Sequence, residues 1–370
     1  MKTILIVGAS RGLGLGLVAE HLKRGFDVIA TVRKAADEAD LKALPGAERL
    51  TLHHLDVTSD DDIARLDYYE GGFGYALAPV TVQTAAGDRA AQVYLPPAGG
   101  PAPGAPWDLA AWVRLWGPAA VATAGDVMAL RGERPADQVA RRYANMLVRG
   151  ASRVRAAAEP APTALRRPCA PGDVAVARRT QPYAHYFAVE EYDLAFRRFD
   201  GSLSPVVNRA VFVSGDAVTV LPYDPARDRV LLVEQFRAGP FARGDRQPWQ
   251  LEPIAGRIDP EETAEDCARR EAQEEAGLTL GPLLQVASYY PSPGAKSEFL
   301  ISYVAPCDLP DGTAIVSGVE GEAEDIRGHL LAFADLMALV ASGEVANGPL
   351  VLTALWLDRE RPRLRAAAGA

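Results

Sequence analysis

Cysteine and lysine are the scarce residues of this 370-residue chain, and each scarcity excludes something. The three cysteines, Cys169, Cys267 and Cys307, lie far apart, show no metal-ligand spacing and leave an odd thiol. That excludes a disulfide framework or a cysteine zinc site and suits a reducing compartment, so the cytoplasm is the expected location. Lysine occurs only at Lys2, Lys23, Lys34, Lys42 and Lys296, and the formal net charge is -9. A surface for nucleic acid needs an excess of Lys and Arg, so nucleic acid is excluded as a partner. No apolar run reaches the ~18 residues of a membrane span, so no membrane partner is expected. The run Ile4 to Val7 is too short for a signal-peptide core and breaks at once into Gly8 and Arg11. What is present is ordinary for globular protein, 48% hydrophobic and 24% charged residues, with length for two or three domains.

The stretch with the most chemistry runs from Gly256 to Leu278: Gly256, then Glu262, then Arg270-Glu271, then Glu274-Glu275, then Gly277 before an aliphatic residue. Residues 262–276 are mostly good helix formers, and Gly277 supplies the left-handed exit, so a helix is expected here. Glu271, Glu274 and Glu275 stand at i, i+3 and i+4, which puts their carboxylates on one side of that helix. Such a cluster is tolerated when water solvates it or when a hard cation such as Mg2+ neutralises it. A solvated acidic face is the common outcome, but seven fixed positions match by chance with a probability of only about 10^-5 over a chain of this length. The pattern resembles the Nudix box, the signature of hydrolases that split a nucleoside diphosphate linked to another group, and every charged and glycine position is filled.

The amino-terminal half carries weaker signals. Strands are expected at Thr3–Val7, Val28–Val32 and Arg49–Val57, with a glycine loop at Gly8, Gly12 and Gly14 opening a helix to Arg24, the pattern of a βαβ unit. This resembles the opening of a short-chain dehydrogenase, which implies a Rossmann-like dinucleotide-binding segment over residues 1–60, with Arg33 near a 2'-phosphate of NADP and Asp56 after the third strand. No lysine has a tyrosine four residues before it, so the catalytic Tyr-x-x-x-Lys pair of that family is missing, which counts against an oxidoreductase. Residues 61–158, with Leu66-Asp67...Glu70-Gly71 and strands at Leu77–Thr84 and Arg89–Leu95, resemble the back half of a γ-glutamylcyclotransferase. There Glu70 would be the acid/base; without that family's substrate loop, a solvated loop carboxylate is the preferred reading. Helices are expected at Trp107–Trp116 and Arg141–Ala158.

The proline-rich run from Glu159 begins a linker over residues 159–175, and residues 176–370 read as one domain. Strands are expected at Tyr186–Phe199, Val206–Val213, Ala217–Leu221, Val230–Gln235 and Ile326–Ala332. The flanks Glu234-Gln-Phe-Arg237 and Trp249-Gln-Leu-Glu252-Pro-Ile-Ala255 extend the likeness, so that residues 183–358 resemble the ADP-ribose pyrophosphatases and the whole chain the tellurite-resistance-associated Nudix proteins. The fold implied is an α/β/α sandwich with a mixed sheet in the carboxy-terminal domain, α/β and α+β over the chain.

That resemblance implies a set of roles. The Ala255 carbonyl with Glu271, Glu275 and Glu324 would hold Mg2+, or Mn2+ as the alternative, with Glu274 close by. Glu322, in an acidic loop, would be the base. Arg237 and Arg209 would meet phosphate, Arg209 across a homodimer interface of the Nudix domain. Tyr186 and Phe187 would stack on adenine, and Ser292 and Glu298 would contact the terminal ribose. Gly256, Glu262, Arg270 and Gly277 would be structural. The substrate would be a small-molecule nucleotide sugar. The alternatives are a nucleotide-binding sensor on the same fold and a cyclotransferase or NADP-binding activity in the amino-terminal half.

Overall fold

Two apolar faces on one sheet organise the carboxy-terminal half of the chain. The computed structural model describes the chain except residues 1–2, 7–11, 26, 33, 55–58, 85–86, 98, 100–107, 161, 315, 318–324 and 370. Gly8, Arg33, Asp56, Glu322 and Glu324 therefore lie outside the described residues. The chain divides into two units, Met1–Ala157 and Ala158–Ala370.

In the first unit, β1 (Thr3–Ile6), α1 (Gly12–Lys23), β2 (Asp27–Val32), α2 (Ala39–Lys42) and β3 (Leu50–His54) form a parallel sheet with helical connections. Gly12 and Gly14 lie in the first turn of α1. Val18, Leu22, Val28, Ala30, Val32 and Leu41 make its core. Then follow α3 (Asp60–Gly72), the hairpin β4 (Ala76–Thr84) and β5 (Gly87–Leu95), and the helices α4 (Leu109–Leu115), α5 (Gly117–Ala129), α6 (Ala136–Ala140) and α7 (Tyr143–Ala158). Glu70, read above as a loop carboxylate, sits in helix α3, where burial raises its carboxyl above the ordinary range.

In the second unit, β6 (Val174–Ala184), β7 (Ala188–Phe196) and β8 (Val207–Val213) form an antiparallel three-stranded sheet. The strand expected from Tyr186 begins only at Ala188, because residues 185–187 make the β6–β7 turn. Strand β6 leaves no pattern in the sequence: its arginines and glutamine break any alternation, and all but one of its residues are at least partly exposed. After it come β9 (Ala217–Asp224), β10 (Arg229–Phe236), α8 (Ala238–Arg243), β11 (Trp249–Glu252), β12 (Ile254–Arg257), α9 (Ala264–Ala276), β13 (Leu284–Tyr289), β14 (Leu300–Pro306), β15 (Val316–Ser317), β16 (Ile326–Ala332), α10 (Phe333–Ser342) and α11 (Gly348–Ala367). The strands form one mixed eight-stranded sheet, ordered β13-β14-β9-β10-β16-β15 with β12 on β9 and β11 on β10; β9 and β14 run parallel. Side chains alternate across a strand, so Val218, Val220, Leu231 and Val233 pack on Cys267, Ala268 and Ala272 of α9. Leu221, Tyr223, Val230 and Leu232 face Phe333 and Leu336 of α10 and Leu350, Ala354 and Leu357 of α11. Helices on both faces explain why β9 and β10 are almost wholly buried.

The turn between β9 and β10 ties α11 down. Asp224 Oδ1 accepts the amides of Ala226 and Arg227, each at 3.0 Å, and Asp228 takes a left-handed φ of 58°. Asp228 then accepts from Arg361 Nε at 2.7 Å and Tyr223 OH at 2.9 Å, with Arg365 Nη1 at 3.2 Å. The Arg361 bond is the main cause that lowers the Asp228 carboxyl to about 2. Asn tolerates the left-handed backbone, so Asp228→Asn isolates the charge. A depressed carboxylate pKa stabilises the fold above its ordinary value, and that contribution is lost as pH falls through the folded value. Asp228→Asn should therefore cost about 1–2 kcal/mol at pH 7. The gap should close as pH falls from about 4 to about 2. Denaturant unfolding of both proteins over that range measures it; a pH-independent gap would exclude the charge as its source.

Candidate active site

Strand β12 pairs with β9 so that Ala255 stands opposite Thr219 and Gly256 opposite Val218. Helix α9 is capped by Thr263, whose Oγ1 accepts the Asp266 amide at 3.1 Å, and ends where Gly277 turns left-handed at φ 63°. Its small residues Ala268 and Ala272 are fully buried and let the helix lie close to the sheet. The closeness is greatest at Gly256. A Cβ built there would sit 1.8 Å from Glu271 Oε1 and 2.1 Å from its Cδ, so the Glu271 carboxylate occupies the space that any side chain would need.

Arg270 joins the acidic residues. Its Nε donates to Glu262 Oε1 at 2.8 Å and its Nη2 to Glu262 Oε2 at 3.0 Å, a bidentate pair. Nη1 donates to Glu271 Oε1 at 2.7 Å and to Glu274 Oε2 at 3.0 Å. Burial pushes the Glu262 carboxyl up, but the Arg270 bonds and the Asp259 amide at 3.2 Å outweigh it and hold the group below its ordinary range. The same bonds to Glu262 raise the Arg270 guanidinium. Glu275 is 6% exposed, whereas the Glu274 side chain is 43% exposed. The three helix carboxylates thus face different surroundings, and among the described residues no three His, Cys, Asp or Glu side chains gather as a metal-binding group. Arg270 draws Glu271 and Glu274 to itself, which spacing on a helix does not foretell.

Arg237, at the end of β10, meets a carboxylate in this structure. Its Nε lies 3.1 and 3.0 Å from the two Glu252 oxygens, and Nη2 lies 2.6 Å from Oε2. Glu252 is 5% exposed and also accepts from Asn347 Nδ2 at 3.1 Å. Asn347 in turn caps α11, its Oδ1 accepting the Leu350 amide at 3.0 Å. The flanking motif includes Glu252 but gives it no role, and Asn347 goes unnamed in it, although Asn347-Gly348-Pro349 is a legible helix start.

The other expected substrate residues lie on two edges. Tyr186 and Phe187 occupy the β6–β7 turn, 49% and 36% exposed. Arg209 is exposed on β8 opposite Tyr192, its Nη1 donating to the Asn208 carbonyl at 2.8 Å. Ser292 is exposed, and its carbonyl accepts the amides of Ala295 and Lys296 at 3.0 and 2.9 Å. Glu298 lies 3.5 Å from Lys296 Nζ and 3.4 Å from Ser214 Oγ. This brings Ser292 and Glu298 into one loop, with Lys296 between them.

A NUDIX domain model matches residues 213–351. An ADP-ribose pyrophosphatase of Escherichia coli (strain K12) is 36% identical over 193 residues, 52% of this chain and 91% of that protein. A GDP-mannose pyrophosphatase of Salmonella paratyphi B is 33% identical over 150 residues, 40% of this chain and 77% of that protein. Among solved structures, the crystal structure of an ADP compounds hydrolase superposes with a TM-score of 0.40 at 22% identity, covering 52% of this chain and 98% of that one. With the Gly256–Glu271 contact and the Arg270 clamp in place, and with a relative this similar along nine-tenths of its own length, the chain belongs to the Nudix hydrolases.

Proposed function

We propose that the protein hydrolyses the pyrophosphate of ADP-ribose, releasing AMP and ribose 5-phosphate, or that of a related nucleoside diphosphate sugar, releasing the nucleoside monophosphate and the sugar phosphate, with Mg2+ or Mn2+ as cofactor. The observation that carries this reading is the Glu271 carboxylate seated on Gly256, beside the Ala255 carbonyl in the chain. The donors there are all hard oxygens: Arg270 bonds three carboxylates, Glu262, Glu271 and Glu274, and a fourth, Glu275, lies buried on α9. That donor chemistry and surplus negative charge fit a hard divalent cation. Ala255, Glu271 and Glu275 would hold it with Glu324, and Glu274 would stand close by. When bound, the cation would offset the charge of the pyrophosphate.

The remaining roles belong to the chain's own side chains. Glu322 accepts a proton from the attacking water. Glu262 and Arg270 brace the loop against α9, a role their bidentate pair supports. Arg237, oriented by Glu252, offers its guanidinium to a phosphate, and Arg209 does so across a homodimer interface. Tyr186 and Phe187 receive the base, Ser292 and Glu298 the terminal ribose. The names of the relatives support the substrate class: both are pyrophosphatases named for a nucleoside diphosphate joined to a sugar. The protein acts in the cytoplasm on this reading. The amino-terminal unit contributes a βαβ sheet that resembles a dinucleotide-binding segment, followed by a cyclotransferase-like segment, and we assign it no part in the hydrolysis.

Two variants test the assignment. A neutral amide is a poor ligand for a hard cation, so Glu275→Gln should lower kcat/KM for ADP-ribose by more than about 100-fold at fixed Mg2+. Its circular dichroism should match the parent, and undiminished AMP release would overturn the ligand role. Glu322→Gln should lower kcat by about 10^2- to 10^4-fold, the cost of a lost general base. Single-turnover rates at saturating substrate across a Mg2+ titration distinguish the roles: recovery to the parent rate at high Mg2+ would make Glu322 a ligand.

A further inference from the structure

Arg257 follows Gly256 directly and ends β12, yet its two ends belong to different parts of the fold. Its carbonyl accepts from the Cys267 thiol at 3.3 Å and from Arg270 Nη2 at 3.4 Å, and the next amide, that of Ile258, donates to the Asp216 carbonyl at 3.0 Å. The backbone is thereby fastened to α9 and to the loop between β8 and β9. The side chain reaches the three-stranded sheet. Its guanidinium carbon stands 3.7 Å from the centroid of the Tyr186 ring, and Nη1 donates to the Tyr186 carbonyl at 3.3 Å.

Tyr186 is the first of three aromatics in a row. Phe187 lies 4.7 Å away at 87°, and Phe212 lies 4.8 Å beyond Phe187. Lys296 Nζ stands 5.8 Å from the Phe212 ring, and Phe212 exchanges backbone bonds with the same loop, to Ala295 at 2.8 Å and from Ser297 at 3.0 Å. The row therefore runs from the end of β12 to the loop that carries Ser292 and Glu298, with a cation at each end. Within the turn bearing Tyr186 and Phe187, the His185 amide donates to the Phe187 carbonyl at 2.7 Å. A short turn with two half-exposed aromatics draws little support from the core, and a planar cation that stacks and donates at once supplies it.

We propose that Arg257 is a positioning residue for base recognition: it holds the Tyr186–Phe187 turn, the surface on which a nucleobase would rest, in register with the end of β12 at Gly256, where the pyrophosphate would be cut. The inference rests on the reading of the site as a nucleoside diphosphate sugar hydrolase. Contacts to the base are the same in the ground state and the transition state, so a misplaced turn weakens binding and leaves the chemical step nearly alone.

Arg257→Ala should raise KM for ADP-ribose about tenfold, the loss of one stacked cation, with a much smaller change in kcat. Arg257→Lys keeps the charge but not the plane and should recover little of that loss. If Arg257 acts through Tyr186, the double variant Tyr186→Leu/Arg257→Ala should have the KM of Tyr186→Leu alone. Hydrogen exchange at the His185 amide reads the same coupling without substrate and should quicken in Arg257→Ala while Tm holds. An unchanged KM, a fall in kcat alone, additive effects in the double variant, or unaltered exchange would each overturn the proposal. If the parent protein hydrolyses no nucleoside diphosphate sugar, the reading of the site fails separately, and exchange at His185 alone decides whether Arg257 holds the turn.

Discussion

The fit of the Glu271 carboxylate against the backbone of Gly256 is the constraint from which the rest of the site follows. A carboxylate pressed on a strand end works only if the strand lacks a side chain there, if the helix lies close, and if a cation steadies the charge. Gly256 meets the first condition, the alanines of α9 the second, and Arg270 the third by bonding Glu262, Glu271 and Glu274 together. A carboxylate cluster with a single guanidinium at its centre keeps a negative balance while avoiding the full repulsion of like charges.

The sandwich serves that contact from both sides. Helix α9 covers one face of the sheet, α10 and α11 the other, so β9 and its partner β12 are held between two packed layers. The far layer also reaches the site by polar links. Asp228 fastens α11 through Arg361 and Arg365, and Asn347 at the other end of that helix bonds Glu252, which orients Arg237. An arginine whose Nε and Nη2 already serve a buried carboxylate has a fixed plane, which suits it to meet a ligand in one direction.

Much of the second unit was legible in the sequence. The strand at Ile326–Ala332 and the helix ending at Gly277 stand where the residues place them, because apolar alternation and a left-handed glycine are local signals. Strand β6 was illegible because its stability comes from pairing with β7, and pairing leaves little mark on a strand whose residues stay largely exposed. Tyr186 and Phe187 were read as strand residues for a related cause: aromatics favour strands on average, and only the register of β6 with β7 turns the chain there.

By itself the sequence determined which residue types the site contains, their order, and that a helix presents three glutamates at i, i+3 and i+4, since these depend on spacing along the chain. Tertiary structure alone decided which of those groups touch. Spacing could not show that Arg270 would gather Glu262, Glu271 and Glu274 while Glu275 is buried, that Glu252 would claim Arg237, or that Arg257 would cross to Tyr186. Each of these is a choice among several oppositely charged or aromatic partners, and the distances that settle it arise only when strands and helices distant in sequence are packed together.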